Sequence, residues 1–84
     1  LTRDIISAKS GVVESIDNKR INKIGILAGA SQYPGAGLDL LKKVGDVVES
    51  GEPLYRIHSV TSSDFAFANS FVDGDNGYEI SSKR

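Results

Sequence analysis

Apolar and polar positions alternate with a period of two in several short stretches of this 84-residue chain, and recur at helical spacing in two others. In the opening segment, Arg3 to Ile16, Ile5-Ile6 begin an extended stretch and Lys9-Ser10-Gly11 mark a bend. Val12 to Ile16 then reads as a strand, with Val12, Glu14 and Ile16 on one face and Val13 and Ser15 on the other. Asp17-Asn18 offers N-cap chemistry, and Ile21, Ile24 and Ala28, with Leu27 beside them, predict a helix over Asn18–Ala28 that stops at Gly29. Gly29 to Gly37 is a small-residue loop, and Leu38 to Lys43 returns to a strand pattern. Two turn signals, Gly45-Asp46 and Ser50-Gly51-Glu52-Pro53, flank Val47-Val48, and Leu54 to His58 is a further strand. Thr61-Ser62-Ser63-Asp64 caps a second helix over Ser63–Val72. Its apolar stripe is Phe65, Ala68 and Val72, with Phe67 and Phe71 beside it. Asp73 to Gly77 stops that helix, and Tyr78-Glu79-Ile80 forms a last short strand. This order predicts an α+β fold, with too little helix between strands for a doubly wound sheet.

Composition narrows the function classes. The chain is 39% hydrophobic and 25% charged, which suits a folded domain and argues against disorder. A net charge of −1 gives no basic surface for a phosphate backbone, so nucleic acid is not an expected partner. With no Cys and one His, thiolate and imidazole-rich metal sites are excluded. No apolar run approaches a membrane span and no signal-peptide pattern opens the chain, so a cytoplasmic location is expected. The chain contains no Met and starts at Leu1, a residue too bulky to be the usual product of Met removal. The expectation is therefore a single domain, residues 1–84, cut from a longer enzyme.

Lys43 to Leu54 reads K-x-G-D-x-V-x-x-G-x-P-L. Gly45 and Gly51 admit backbone angles closed to other residues, Asp46 can hold the N–H groups of its own turn, and Val47 and Leu54 are expected to point inward. This stretch resembles the hammerhead element of the barrel-sandwich hybrid domains. Those include lipoyl and biotinyl carriers and the C-terminal domain of pyrimidine nucleoside phosphorylases. Gly11 to Ile24, a strand opening on Gly and running through Ile16-Asp17-Asn18 into a helix, is similar to that C-terminal domain in thymidine phosphorylases and AMP phosphorylases. So is the Gly-rich loop leading into Gly37-Leu38-Asp39-Leu40. A carrier lysine would sit at a separate hairpin tip in Asp-Lys-Ala or Met-Lys-Met, and neither tripeptide occurs. Lys42 and Lys43 read as a solvated strand end. A freestanding hammerhead-type binding or carrier module is the alternative.

The resemblance implies a whole enzyme that cleaves a nucleoside with inorganic phosphate to base and (deoxy)ribose 1-phosphate, or AMP to adenine and ribose 1,5-bisphosphate. It implies no cofactor. Its partners are the N-terminal α and central α/β domains of the same chain, within a homodimer or higher homo-oligomer. The family's catalytic and substrate-binding residues lie in those other domains, so none is carried onto this chain. One candidate element remains, the loop Gly29, Ala30, Ser31, Gln32, Tyr33, Pro34, Gly35, Ala36 and Gly37, which the resemblance places on the face approaching the active-site cleft as a closure element. Thymidine phosphorylases carry more Arg and Gly here. This loop has no cation, which speaks against direct phosphate contact and towards the AMP phosphorylase-like branch.

Other residues have plainer readings. His58 is expected to be a structural or surface residue, with no carboxylate, Ser or Cys beside it in a catalytic arrangement. Asp73, Asp75 and Asn76 form a helix-ending turn without the late Glu of a calcium loop. Gly35-Ala36-Gly37 lacks the helix a dinucleotide site needs.

Overall fold

The computed structural model describes residues 1–82 and has the α+β architecture expected, as two three-stranded antiparallel sheets and two helices. The first sheet has the order β1-β5-β3, from β1 (Thr2–Ile6), β5 (Pro53–His58) and β3 (Gly37–Leu40). The second has the order β4-β2-β6, from β4 (Val47–Val48), β2 (Gly11–Ile16) and β6 (Tyr78–Ser81). Helix α1 (Asn18–Ala28) joins β2 to the loop before β3, and α2 (Ser62–Gly74) joins β5 to β6.

Both helices start where a side-chain acceptor meets a free backbone N–H. Asp17 accepts from Arg20 N at 3.1 Å, and Thr61 accepts from Asp64 N at 3.2 Å. Ile21, Ile24 and Ala28 of α1 and Ala68 and Val72 of α2 are buried, with Phe65 packed against them at the margin. Arg20 ties the helices together. Its guanidinium donates to the carbonyls of Phe71 and Asp75 and lies 4.1 Å from the centre of the Phe71 ring. Phe67 does not join this packing and is 63% exposed. At 100° per residue it stands about 200° around the helix from Phe65, on the solvent side.

Strand β5 runs through the centre, with Leu54, Tyr55 and Ile57 fully buried. Ile5, Val13, Val48 and Ile80 complete the core from both sheets. The alternation expected for β2 does not hold along its length. Val13 pairs with Ile80, but Ser15, not Glu14, pairs with Glu79. This β-bulge inserts one residue and reverses the phase, so Val13 is buried, Glu14 and Ser15 are both exposed, and Ile16 turns back toward the core. The inward valine of β4 is also Val48, with Val47 exposed. A two-residue strand contains no period from which its facing could be read.

The two turns flanking β4 share one construction. Lys43 N–H donates to Asp46 Oδ2 at 2.9 Å, and Glu49 N–H donates to Glu52 Oε1 at 2.6 Å. In each, a carboxylate three residues on closes the turn, and the residue before it is a glycine with φ of 94° at Gly45 and 92° at Gly51. The hydrogen bond from Glu49 N–H holds the Glu52 carboxyl below the usual range, with Lys42 adding to it. Lys42 is half-buried and pairs with Glu52 at 3.5 Å, so it is not the freely solvated strand end expected; β3 itself ends at Leu40.

Candidate functional site

The loop after α1 begins at a tightly specified stop. Gly29 has φ 108°, and its N–H donates to Ile26 O at 2.9 Å while Ala30 N–H reaches Gly25 O at 3.1 Å, the paired bonds of a Schellman motif. A side chain at Gly29 would meet Asp64 Oδ2 at 3.0 Å, Tyr33 Cδ2 at 3.3 Å and the Ala36 methyl at 3.4 Å. Two turns follow. Gln32 and Tyr33 N–H both donate to Gly29 O, at 3.0 and 2.9 Å, and Ala36 N–H donates to Tyr33 O at 3.1 Å. The Tyr33 ring lies over Gly29, which leaves Ala30, Ser31, Gln32, Pro34 and Gly35 presented to solvent. The loop is thus a pair of bonded turns set on the end of α1 and the start of α2. Of its three glycines, Gly29 is the helix stop and Gly37 begins β3, which leaves Gly35 in open space.

Beside the loop is a shallow open depression of about 250 Å³, lined by Pro34 to Asp39 and His58. His58 Nε2 lies 2.8 Å from Asp39 Oδ2. A carboxylate therefore does stand beside His58, contrary to the expectation from sequence. Nineteen residues separate the two. Only the pairing of Gly37 with His58 and of Asp39 with Arg56 brings them to neighbouring positions on one face. That pairing is set by two strands and leaves no local motif to read. On the same face Arg56 is hydrogen-bonded to Asp4 of β1, which holds the Asp4 carboxyl below its usual range and raises the Arg56 guanidinium further. Carboxylates and basic side chains alternate in a row across three strands, Asp4, Arg56, Asp39 and His58.

This row has little capacity to hold an anion. Among the described residues the ionisable groups lining the depression are His58 and the Asp39 carboxylate paired to it, and the loop supplies no cation. The residues that hinted at calcium are engaged elsewhere. Asp73 pairs with Arg3 at 3.2 Å, Asp75 accepts from Gly77 N–H at 2.9 Å, and Asn76 accepts from Tyr78 N–H at 2.9 Å. Among the described residues no three His, Cys, Asp or Glu side chains gather as a metal-holding group. Nor is any helix there long and apolar enough to cross a membrane.

This α+β arrangement and the sequence that builds it place the chain in a defined class. The chain belongs to the pyrimidine nucleoside phosphorylase C-terminal domain family, which matches residues 12–80. A protein of Rhodopseudomonas palustris (strain BisA53) named "Putative thymidine phosphorylase" is 46% identical over 80 residues, covering 95% of this chain and 16% of its own length. Proteins of the same name from Albidiferax ferrireducens and Legionella pneumophila (strain Corby) are each 46% identical, over 95% and 80% of this chain and 15% and 13% of theirs. The chain thus spans about a sixth of the length of the curated relatives it matches.

Proposed function

We propose that this chain is the C-terminal domain of a phosphorolytic pentosyltransferase. The observation that carries the reading is the family match over residues 12–80, together with relatives named for thymidine phosphorylase that align over up to 95% of the chain. In the reaction, an oxygen of inorganic phosphate forms a bond to the anomeric carbon of a nucleoside. The C–N bond to the base breaks, the base leaves with the electron pair and takes up a proton, and the sugar departs as its 1-phosphate. A nucleoside monophosphate substrate would give a sugar bisphosphate by the same exchange. The domain contributes no reacting group. Its contribution is to contact the rest of the enzyme through the loop Gly29–Gly37, whose exposed residues Ser31, Gln32 and Pro34 project from a base held by Gly29 and Tyr33. Closing such a loop over a cleft excludes water, which competes with phosphate for the same carbon.

The test separates the domain from its enzyme. The full-length protein should release base from thymidine, uridine or AMP only when phosphate is present. The 84-residue chain alone should release none, and calorimetry should detect no micromolar binding of phosphate or nucleoside to it. Turnover or micromolar binding by the isolated chain, or a full-length protein inactive on all three substrates, would overturn the reading.

A further inference from the structure

Helix α1 and strand β3 leave an open groove of about 250 Å³ between them, walled by Ile21, Gly25, Ile26, Ala30, Leu38 and Leu40. Ile26 and Leu40 face it and are 52% and 54% exposed. Strand β3 is an edge of its sheet, and past Leu40 the apolar surface continues to Leu41, 44% exposed. Single exposed apolar residues are ordinary on a protein surface, but several sharing one groove mark a surface that something covers.

Gly25 adds an independent sign. It lies in the middle of α1, where glycine is less stable than alanine by about 0.5–1 kcal/mol. A methyl group there would meet nothing nearer than Leu38 Cγ, at 3.8 Å, an ordinary contact. The backbone there is plainly helical and needs no glycine. What the glycine preserves is the open floor of the groove.

We infer that this groove seats an apolar ridge of the same polypeptide, contributed by the part of the phosphorylase that precedes β1. The inference rests on the function proposed above. Its support is the length and placing of what lies outside this chain. The relatives carry all but 13–16% of their length elsewhere, and the family's description sets this segment on the C-terminal side. The register brings Thr2 opposite His58 and His58 opposite Gly37, so the start of β1 lies two strands from Gly37, about 10 Å away. Gly37 and Ala30 also border the groove. A polypeptide arriving at β1 therefore enters at the end of the molecule where the groove opens, beside the loop. Among the described residues the lining carries no charge and Asn22 is its one polar side chain, so the occupant has the chemistry of Leu, Ile, Val or Phe side chains without a charge at its tip.

The chain has no Cys, so an introduced thiol reports on its own surroundings. Ile26→Cys and Leu40→Cys would be reacted with a maleimide in the 84-residue chain and in the full-length protein, and each labelled peptide followed by mass spectrometry. Labelling at both positions should slow tenfold or more in the full-length protein. Adding Gly25→Leu should fill the groove and restore fast labelling of the Leu40→Cys thiol there, while the isolated chain keeps its melting transition. Equal labelling rates in the two proteins would overturn the assignment. So would an isolated chain that sediments as a dimer and becomes monomeric with Leu40→Glu, which gives the groove to a second copy. Labelling needs no turnover. Protection without phosphorolysis would retain this interface and reject the proposed reaction, and phosphorolysis without protection would do the reverse.

Discussion

Replacing Tyr55 with phenylalanine removes one oxygen from the interior and tests how the two sheets are joined. Tyr55 is fully buried, donates to Asn76 O at 2.7 Å, and packs 5.5 Å from the ring of Tyr78, whose own hydroxyl donates to Lys42 O at 2.6 Å. Burial pushes both phenols above their usual value, Tyr55 further than Tyr78. Tyr55→Phe leaves the Asn76 carbonyl without this donor and should cost about 1–2 kcal/mol in denaturant unfolding. A raised phenol favours the neutral form in the folded state. Its contribution is therefore present below the ordinary value of 10.0 and lost as the pH rises beyond it. Tyr55→Phe should accordingly lose less stability than the parent between pH 10 and 11. At this scale the sequence was partly legible. The buried positions Ile24, Ala28 and Leu54 could be read from periodicity, and Phe67 could have been placed outside by the same 100° count. Asp39 beside His58 could not, because their contact exists only through the register of β3 on β5.

At the scale of elements, the two glycine-carboxylate turns around β4 make a prediction about acid. The Glu52 carboxyl is held below its usual range first by the Glu49 N–H and then by Lys42. Within the sheet β1-β5-β3, Asp4 is held down by Arg56. A depressed carboxylate contributes stability that is present above its unfolded value and lost as the pH falls through its folded value. The melting temperature should therefore hold from neutral pH down to about 4.5, the ordinary glutamate value, and fall below it. Glu52→Gln should lower the melting temperature at pH 7 and flatten that fall, measured by scanning calorimetry from pH 7 to 3. An unchanged acid limb in Glu52→Gln would mean that the turn carboxylate contributes nothing. Elements with local punctuation were the legible ones. Helix α1 keeps its expected bounds because Asp17 and Gly29 are cap chemistry written in the chain. Helix α2 runs to Gly74, two residues past the expected end, as Arg20 of α1 takes up the Phe71 carbonyl in its last turns. The facing of β2 was not legible, since its bulge is a mismatch with β6 more than sixty residues away.

At the scale of the whole molecule, the loop, the start of β1 and the groove between α1 and β3 gather at one end, and the loop's function can be tested without disturbing its base. Tyr33 covers Gly29 and its carbonyl accepts from Ala36 N–H, so Tyr33 must be kept. Ser31, Gln32 and Pro34 are exposed and take no part in the core. The triple variant Ser31→Gly, Gln32→Gly, Pro34→Gly in the full-length protein removes the projecting surface and the stiffness of Pro34 while the helix stop remains. If the loop closes over the cleft, kcat for phosphorolysis should fall about tenfold or more, which corresponds to roughly 1.4 kcal/mol of barrier. Hydrolysis of the nucleoside should rise relative to phosphorolysis, because water then reaches the anomeric carbon. The 84-residue chain with the same three changes should still melt in one cooperative transition, lowered by several degrees, since each glycine adds freedom to the unfolded chain worth about 0.4–1 kcal/mol. Parent values of kcat and KM with an unchanged hydrolysis ratio would reduce the loop to a connection between α1 and β3. The domain's role would then reduce to scaffolding or assembly.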